Sequence, residues 1–305
     1  MAPSEGSRSR LDNTEIHRAI SSHQNTVRSR KTDGKTIFEI FKSEGEVEMA
    51  DLRGILFDCD GVLAETERTG HRVAFNRAFE KIDLPFQWDP DEYGEYVKIG
   101  GGKNRVRNYL EERNWDFPGV PETEEERKAY IDALHREKSQ AFVEIVDEGQ
   151  VPAREGVKRL IEEALERGLK VAIVSSSAII SVEKVLQHVV GEETAQKIRV
   201  FGGEHVAESK PNPALYLHAL DELGLQAEDV VVVEDTRIGC LAGVRAGCRV
   251  LVTPSDYSKQ EDFSEASAVV SSLGSVENRA TLIDGPEEVL EDGCVTVDTL
   301  ATLLK

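Results

Sequence analysis

The sequence predicts an α/β protein: a parallel, Rossmann-like sheet covered by helices, with an α-helical domain inserted after the first strand. Three observations predict it. Short apolar runs stop at polar or glycine clusters at Gly54-Ile55-Leu56-Phe57, Lys170–Val174 and Asp229–Val233, the pattern of strands buried on both faces. From Val151 onward such runs alternate with helical repeats, the order that builds a parallel sheet. Between Thr66 and Val146 no convincing strand occurs, so this block interrupts the sheet.

Residues 1–50 read as a tail or a transit peptide: the first 31 residues hold six Lys/Arg, six Ser and three Asp/Glu, with little apolar content. Residues 51–65 and 151–275 form the core, 66–150 the inserted block and 276–305 a C-terminal extension. After the opening strand, Val73, Ala74, Phe75, Ala78, Phe79 and Ile82 fall at helical spacing. Pro85 and Pro90 break the chain, and helices are expected at Asp91–Val97, Arg105–Arg113 and Glu122–Val146, with Trp88 and Trp115 in the block's own core. In the second half, helices are expected at Val157–Arg167, Ala178–Val190, Pro213–Leu223 and Ile238–Ala246, with Gly168 and Gly224 closing two of them. Strands are expected at Ile198–Phe201 and Arg249–Val252, with Ala268–Val270 as a last edge strand and a small helix at Val297–Leu304.

The formal net charge of −20 argues against a nucleic-acid partner, which needs a basic face, and no apolar run is long enough for a membrane span. The four cysteines form no CxxC pair, and no histidine stands at zinc-site spacing, as expected for reduced thiols.

Four predicted strand ends carry polar groups: Asp58 and Asp60, Ser175 and Ser176, a Lys210-Pro211 loop, and Glu234 with Asp235. In a parallel sheet these ends converge on one edge. Phosphoryl transfer gives each a purpose. A carboxylate nucleophile splits a hard displacement into two steps. A divalent cation, Mg²⁺ by its preference for oxygen, lets a dianion approach carboxylates. A hydroxyl, backbone amides at a helix start and a lysine hold the equatorial oxygens. Within the inserted block, Gly100-Gly101-Gly102 offers open backbone amides, followed by Lys103, and His135, Arg136 and Lys138 form a second basic group. Lys98, Arg105 and Arg107 read as surface charges, and His71 as a half-buried helix residue.

Asp58-Cys59-Asp60-Gly61-Val62, Ser175 after Val171–Val174, Ser209-Lys210-Pro211 and Val233-Glu234-Asp235-Thr236 stand in an order that resembles the haloacid dehalogenase-like (HAD) hydrolase superfamily. The resemblance implies Asp58 as nucleophile and metal ligand, and Asp60 as acid/base that also binds metal through its carbonyl. It implies Ser175 and Lys210 as phosphate-holding groups, Asp235 as the completing ligand, and Glu234 as a ligand or its support. It makes the inserted block a cap hinged near Ala64–Thr66 and Gly149–Pro152. FDCDGVLAETE, FNRAFE, KIGGGK, LHREK and VVVEDTRIG further resemble the CbbY subgroup of photosynthetic organisms, whose members convert xylulose 1,5-bisphosphate to xylulose 5-phosphate, a Calvin-cycle sugar. That implies substrate contacts from Glu65, Ile99, Gly100, Gly101, Gly102, Lys103, His135, Arg136, Lys138, Ser176 and Ser177. It also implies a monomer acting on a phosphosugar with Mg²⁺ in the chloroplast stroma, the cytoplasm being the alternative. The rival expectations are a β-phosphoglucomutase-like phosphotransferase, a phosphoglycolate-type phosphatase, and a phosphosugar-binding regulator without activity.

Overall fold

The structure, a computed structural model, describes residues 51–305 in full and, ahead of them, the backbone of Asn25–Thr32 (β1) and Lys35–Lys42 (β2). These two strands pair antiparallel from Asn25↔Lys42 to Thr32↔Lys35. The sequence reading expected no strand there. The missed signal is the β-branched and aromatic run Thr36, Ile37, Phe38, Ile40 and Phe41 beyond an Asp33-Gly34 pair, a frequent hairpin signature. The rest of the tail, and the transit-peptide expectation with it, lies outside the described residues.

Residues 50–305 form a separate unit. Its first strand, β3 (Gly54–Phe57), is buried throughout. The inserted block follows as α1 (Arg72–Lys81), entered through a π-helical turn at Glu67–His71, then α2 (Pro90–Val97), α3 (Gly102–Glu112) and α4 (Glu124–Asp147). Asp89 starts α2 by accepting from the Asp91 and Glu92 amides, with proline in the first helical position, and Thr123 caps α4. The chain then alternates: α5 (Val157–Glu166), β4 (Lys170–Val174), α6 (Ile179–Val190), α7 (Glu192–Ala195), β5 (Arg199–Phe201) and α8 (Ala214–Leu223). It continues through β6 (Val230–Glu234), α9 (Arg237–Arg245), β7 (Arg249–Val252), β8 (Ala268–Val270), β9 (Leu282–Asp284) and α10 (Val297–Ala301).

The sheet runs β5-β4-β3-β6-β7-β8-β9, parallel except for the last pair. β3 is central: the chain moves outward on one side through β4 and β5, then returns to β6 on the other. Such a reversal opens a crevice beyond the strand ends, where ligands of open α/β sheets bind. One apolar face of the sheet packs on α5, α6 and the end of α4, and the opposite face on α8 and α9. The cap has its own aromatic core around Trp88, with Phe75, Phe79, Tyr93, Tyr96 and Tyr109. β9 was not foreseen. It displaces Ala268–Val270 from the edge, and its three residues, two of them exposed, are too few to show a period. The four cysteines are free thiols.

Candidate active site

Asp58 extends β3 by one residue, its amide donating to the Val233 carbonyl at 2.9 Å. Its carboxylate accepts from the Lys210 ammonium at 2.6 Å. Lys210 also donates to Glu234 Oε1 (2.7 Å) and the Val174 carbonyl (2.8 Å), and Tyr216 donates to the same Glu234 oxygen at 2.7 Å. One buried cation thus ties together the ends of β3, β4 and β6. Burial would strip its proton, but Asp58 and Glu234 hold the ammonium above its ordinary range. Burial also pushes the Asp58 carboxyl well up, against the pull of Lys210 and with help from Glu234 and Asp60. Asp235 is raised for the same reasons, burial first and then Asp58 and Glu234.

This surplus of buried carboxylate has a direct remedy. Asp58, Glu234 and Asp235 each offer an oxygen, all within 4.8 Å of one another. Such an all-oxygen donor set fits a hard divalent cation. Gly61 makes the approach possible: its φ is +81°, and a Cβ there would lie 2.1 Å from Asp235 Oδ2.

The carboxylate of Asp60, a residue expected to reach the metal through its backbone carbonyl and to act as acid/base through its side chain, stands outside this trio. It accepts from Thr66 Oγ1 (2.6 Å) and Ser177 Oγ (2.5 Å) and meets His71 Nε2 at 2.7 Å. His71 is buried rather than half-exposed, and its Nδ1 lies 2.8 Å from Lys138 Nζ. An ammonium donates only, so the network assigns Nδ1 as acceptor and Nε2–H as donor to Asp60. Burial alone would raise the Asp60 carboxyl; His71 opposite it, with the hydrogen bonds from Ser177 and Thr66, holds it far below its usual range. Lys138 is pulled down to about 8 by burial, between the rings of Phe75 and Phe142.

The two networks face one cavity of about 130 Å³ between sheet and cap. Ser175, Ser176 and Ser177 line it just before α6, with the Ser177 amide donating to Ser175 Oγ at 3.1 Å. From the cap come Gly100, Gly101 and Gly102 at the start of α3, His135 and Lys138. Burial, then Lys138 and Lys103 nearby, depresses His135 to about 3, so it is neutral. The other expected contacts are not brought to the cavity. Lys103 is more than half exposed and pairs with Asp132 at 2.6 Å. Glu65 pairs with Arg154 at 3.2 Å beside the hinge, Arg136 is exposed, and Ile99 offers only its carbonyl to Arg105. Conversely, Arg105 is no surface charge. It forms a double hydrogen bond with Glu67 and also donates to Tyr93, and both Arg105 and Glu67 line the cavity. Nothing local in the sequence pairs Glu67 with Arg105, which stand 38 residues apart.

A family model described as haloacid dehalogenase-like hydrolase matches residues 52–247. The CBBY-like protein of Arabidopsis thaliana is 42% identical over 234 residues, 77% of this chain and 70% of that relative. Protein CbbY of Cereibacter sphaeroides is 34% identical over 232 residues, 76% of this chain and 96% of its own. Among solved structures, a mutant CbbY from Rhodobacter sphaeroides in complex with xylulose-(1,5)bisphosphate superposes with a TM-score of 0.67 at 33% identity, over 74% of this chain and 96% of that one.

Proposed function

The chain belongs to the haloacid dehalogenase-like hydrolases as a phosphatase of CbbY type, and from that premise we propose that it removes one phosphate from a sugar bisphosphate, xylulose 1,5-bisphosphate, with Mg²⁺. The observation that carries the reading is the pairing of two unlike walls. On the sheet side stand a carboxylate, Asp58, and a cation, Lys210, beside the oxygen trio; on the cap side stand Lys138 and the start of α3. A bisphosphate has one dianion for each wall. The CbbY structure described with bound xylulose bisphosphate supports the same sugar here.

Mg²⁺ held by Asp58, Asp235 and Glu234 would supply positive charge to the transferring phosphoryl group. Asp58 attacks phosphorus, and the sugar oxygen departs with the bond's electron pair and takes a proton from Asp60. Water, giving its proton to Asp60, then breaks the Asp58 acyl phosphate and releases inorganic phosphate. Lys210 and the Ser175–Ser177 amides stabilise the equatorial oxygens. Asp60 rests as a carboxylate among three donors, so it is ready as the base; as the acid it needs substrate to loosen those donors and raise its pKa. A dianionic substrate beside Asp60 raises its pKa by like-charge repulsion, and the carboxylate takes up a proton from solvent before it serves as the acid.

The test is a phosphate-release panel of sugar mono- and bisphosphates with Mg²⁺. Xylulose 1,5-bisphosphate should give the highest kcat/KM and one equivalent of phosphate; isomer interconversion without release would replace the reading with a mutase. The basic N-terminal stretch and the plant relative support work in a plastid stroma, which import into isolated chloroplasts checks.

A further inference from the structure

The loop after β7 joins the metal trio to the cap. It starts with the Thr253 amide donating to the Glu234 carbonyl at 2.7 Å. Ser255 then meets Asp235 where both crowd Gly61, and its amide donates to Ser258 Oγ at 2.8 Å, closing a tight turn. Tyr257 lies inside that turn and reaches across to the cap. Its hydroxyl donates to the Pro90 carbonyl at 3.0 Å, at the start of α2. Its ring meets Tyr93 edge to face, with centroids 6.0 Å apart. The next residue of α2, Gly94, makes room: a Cβ there would sit 3.1 Å from the Tyr257 ring. A glycine inside a helix costs about 1 kcal/mol against alanine, so close contact with the core is a physical reason for it. Tyr93 in turn donates to Glu67, which holds Arg105 at the cavity wall.

The narrowness of the cavity implies that the cap moves during turnover. A cavity of about 130 Å³ is smaller than the roughly 300 Å³ or more of pockets that enclose small-molecule ligands. Substrate therefore enters an opened form, and closure remakes whatever joins α2 to the core. We propose that Tyr257 is the positioning residue of that closure: it docks α2 on the loop that braces Asp235, so the cap wall and the metal-site wall reach their working separation together. This rests on the sugar-phosphatase reading for its substrate but not for its mechanics.

The test compares Tyr257→Phe, which keeps the ring, with Tyr257→Ala, on a sugar bisphosphate and on p-nitrophenyl phosphate, which is too short to span both walls. Loss of one hydrogen bond should lower kcat/KM for the bisphosphate about 3- to 10-fold in the Phe variant, and loss of the ring should lower it further in the Ala variant. Turnover of p-nitrophenyl phosphate should stay within about twofold, a split that general unfolding would not produce. Hydrogen exchange supplies a readout independent of activity: amides of Asp91–Val97 should exchange faster in the Ala variant, and the Phe variant should restore part of the protection. Equal losses on both substrates, or unchanged exchange in that segment, overturn the latch. If the wild-type enzyme releases phosphate from none of the sugar phosphates, the substrate reading falls, and the exchange result alone decides for or against the latch.

Discussion

Lys210 shows at single-residue scale why this site is costly to build and easy to break. Its ammonium is the shared partner of two buried carboxylates. In Lys210→Met those carboxylates lose their cation, a change that typically costs about 3–5 kcal/mol. The expected outcome is a lower melting temperature that Mg²⁺ partly restores, because a cation binding only the folded form offsets the same charge. Melting curves with Mg²⁺ and with chelator check this; no Mg²⁺ dependence would argue against the trio as the metal site. Asp58→Asn removes the attacking oxygen while leaving its shape, and should cut phosphate release by about 10³-fold or more with little change in melting temperature. Retained turnover would reject Asp58 as nucleophile. Lys138 brings pH dependence. With a pKa near 8, it is a cation below that pH and neutral above it. The free enzyme should therefore lose its hold on the distal phosphate as pH rises through about 8, so kcat/KM for the bisphosphate falls there. Lys138→Arg should move that limb upward, and p-nitrophenyl phosphate should not show it.

At the scale of elements, the division of labour is between strand ends and cap helices, and the sequence displays them unequally. Asp58, Ser175 and Asp235 sit within two residues of an apolar run and were legible from local pattern. Lys210 stands nine residues beyond β5 and was legible from its Ser-Lys-Pro setting, and the structure gathers all four as expected. Cap residues find partners at long range: His71 meets Lys138 across 67 residues and Arg105 meets Glu67 across 38. Local sequence carries no sign of either pair. Lys103 looked like the distal phosphate group because it follows three glycines, yet helical geometry turns it outward to Asp132 while Lys138 turns inward. This reverses an expectation at the level of the helix. Lys138→Ala should raise KM for a bisphosphate at least tenfold, and Lys103→Ala should change it less than about threefold, since an exposed pair contributes little. Steady-state kinetics on the two variants check the order; a larger effect at Lys103 would mean that α3 turns during closure.

On the scale of the whole molecule, the C-terminal extension is part of the fold, although its sequence shows little periodicity. It adds β9 to the sheet and buries Val289, Val295, Val297, Leu300 and Leu303 against the core. Arg159 of α5 donates to the carbonyls of Leu273 and Val295, and Arg167 forms a double hydrogen bond with Asp298. Each fully buried Val or Leu is worth about 1.5–3 kcal/mol, so the five together are comparable to the roughly 5–15 kcal/mol that hold a typical domain folded. Removing residues 276–305 should therefore prevent accumulation of folded protein. Leu300→Ala is the gentler probe: a cavity at a fully buried leucine typically costs about 2–5 kcal/mol. None of the five apolar side chains lines the catalytic cavity, so kcat/KM measured well below the melting transition should match the wild type while the melting temperature falls. Thermal denaturation and phosphate release on the same preparation separate the two effects. A parallel fall in kcat/KM would mean that the extension shapes the sheet edge at the active site, because strain at β9 would then be reaching β6 through β8 and β7, the strands that carry the metal-binding end of the crevice.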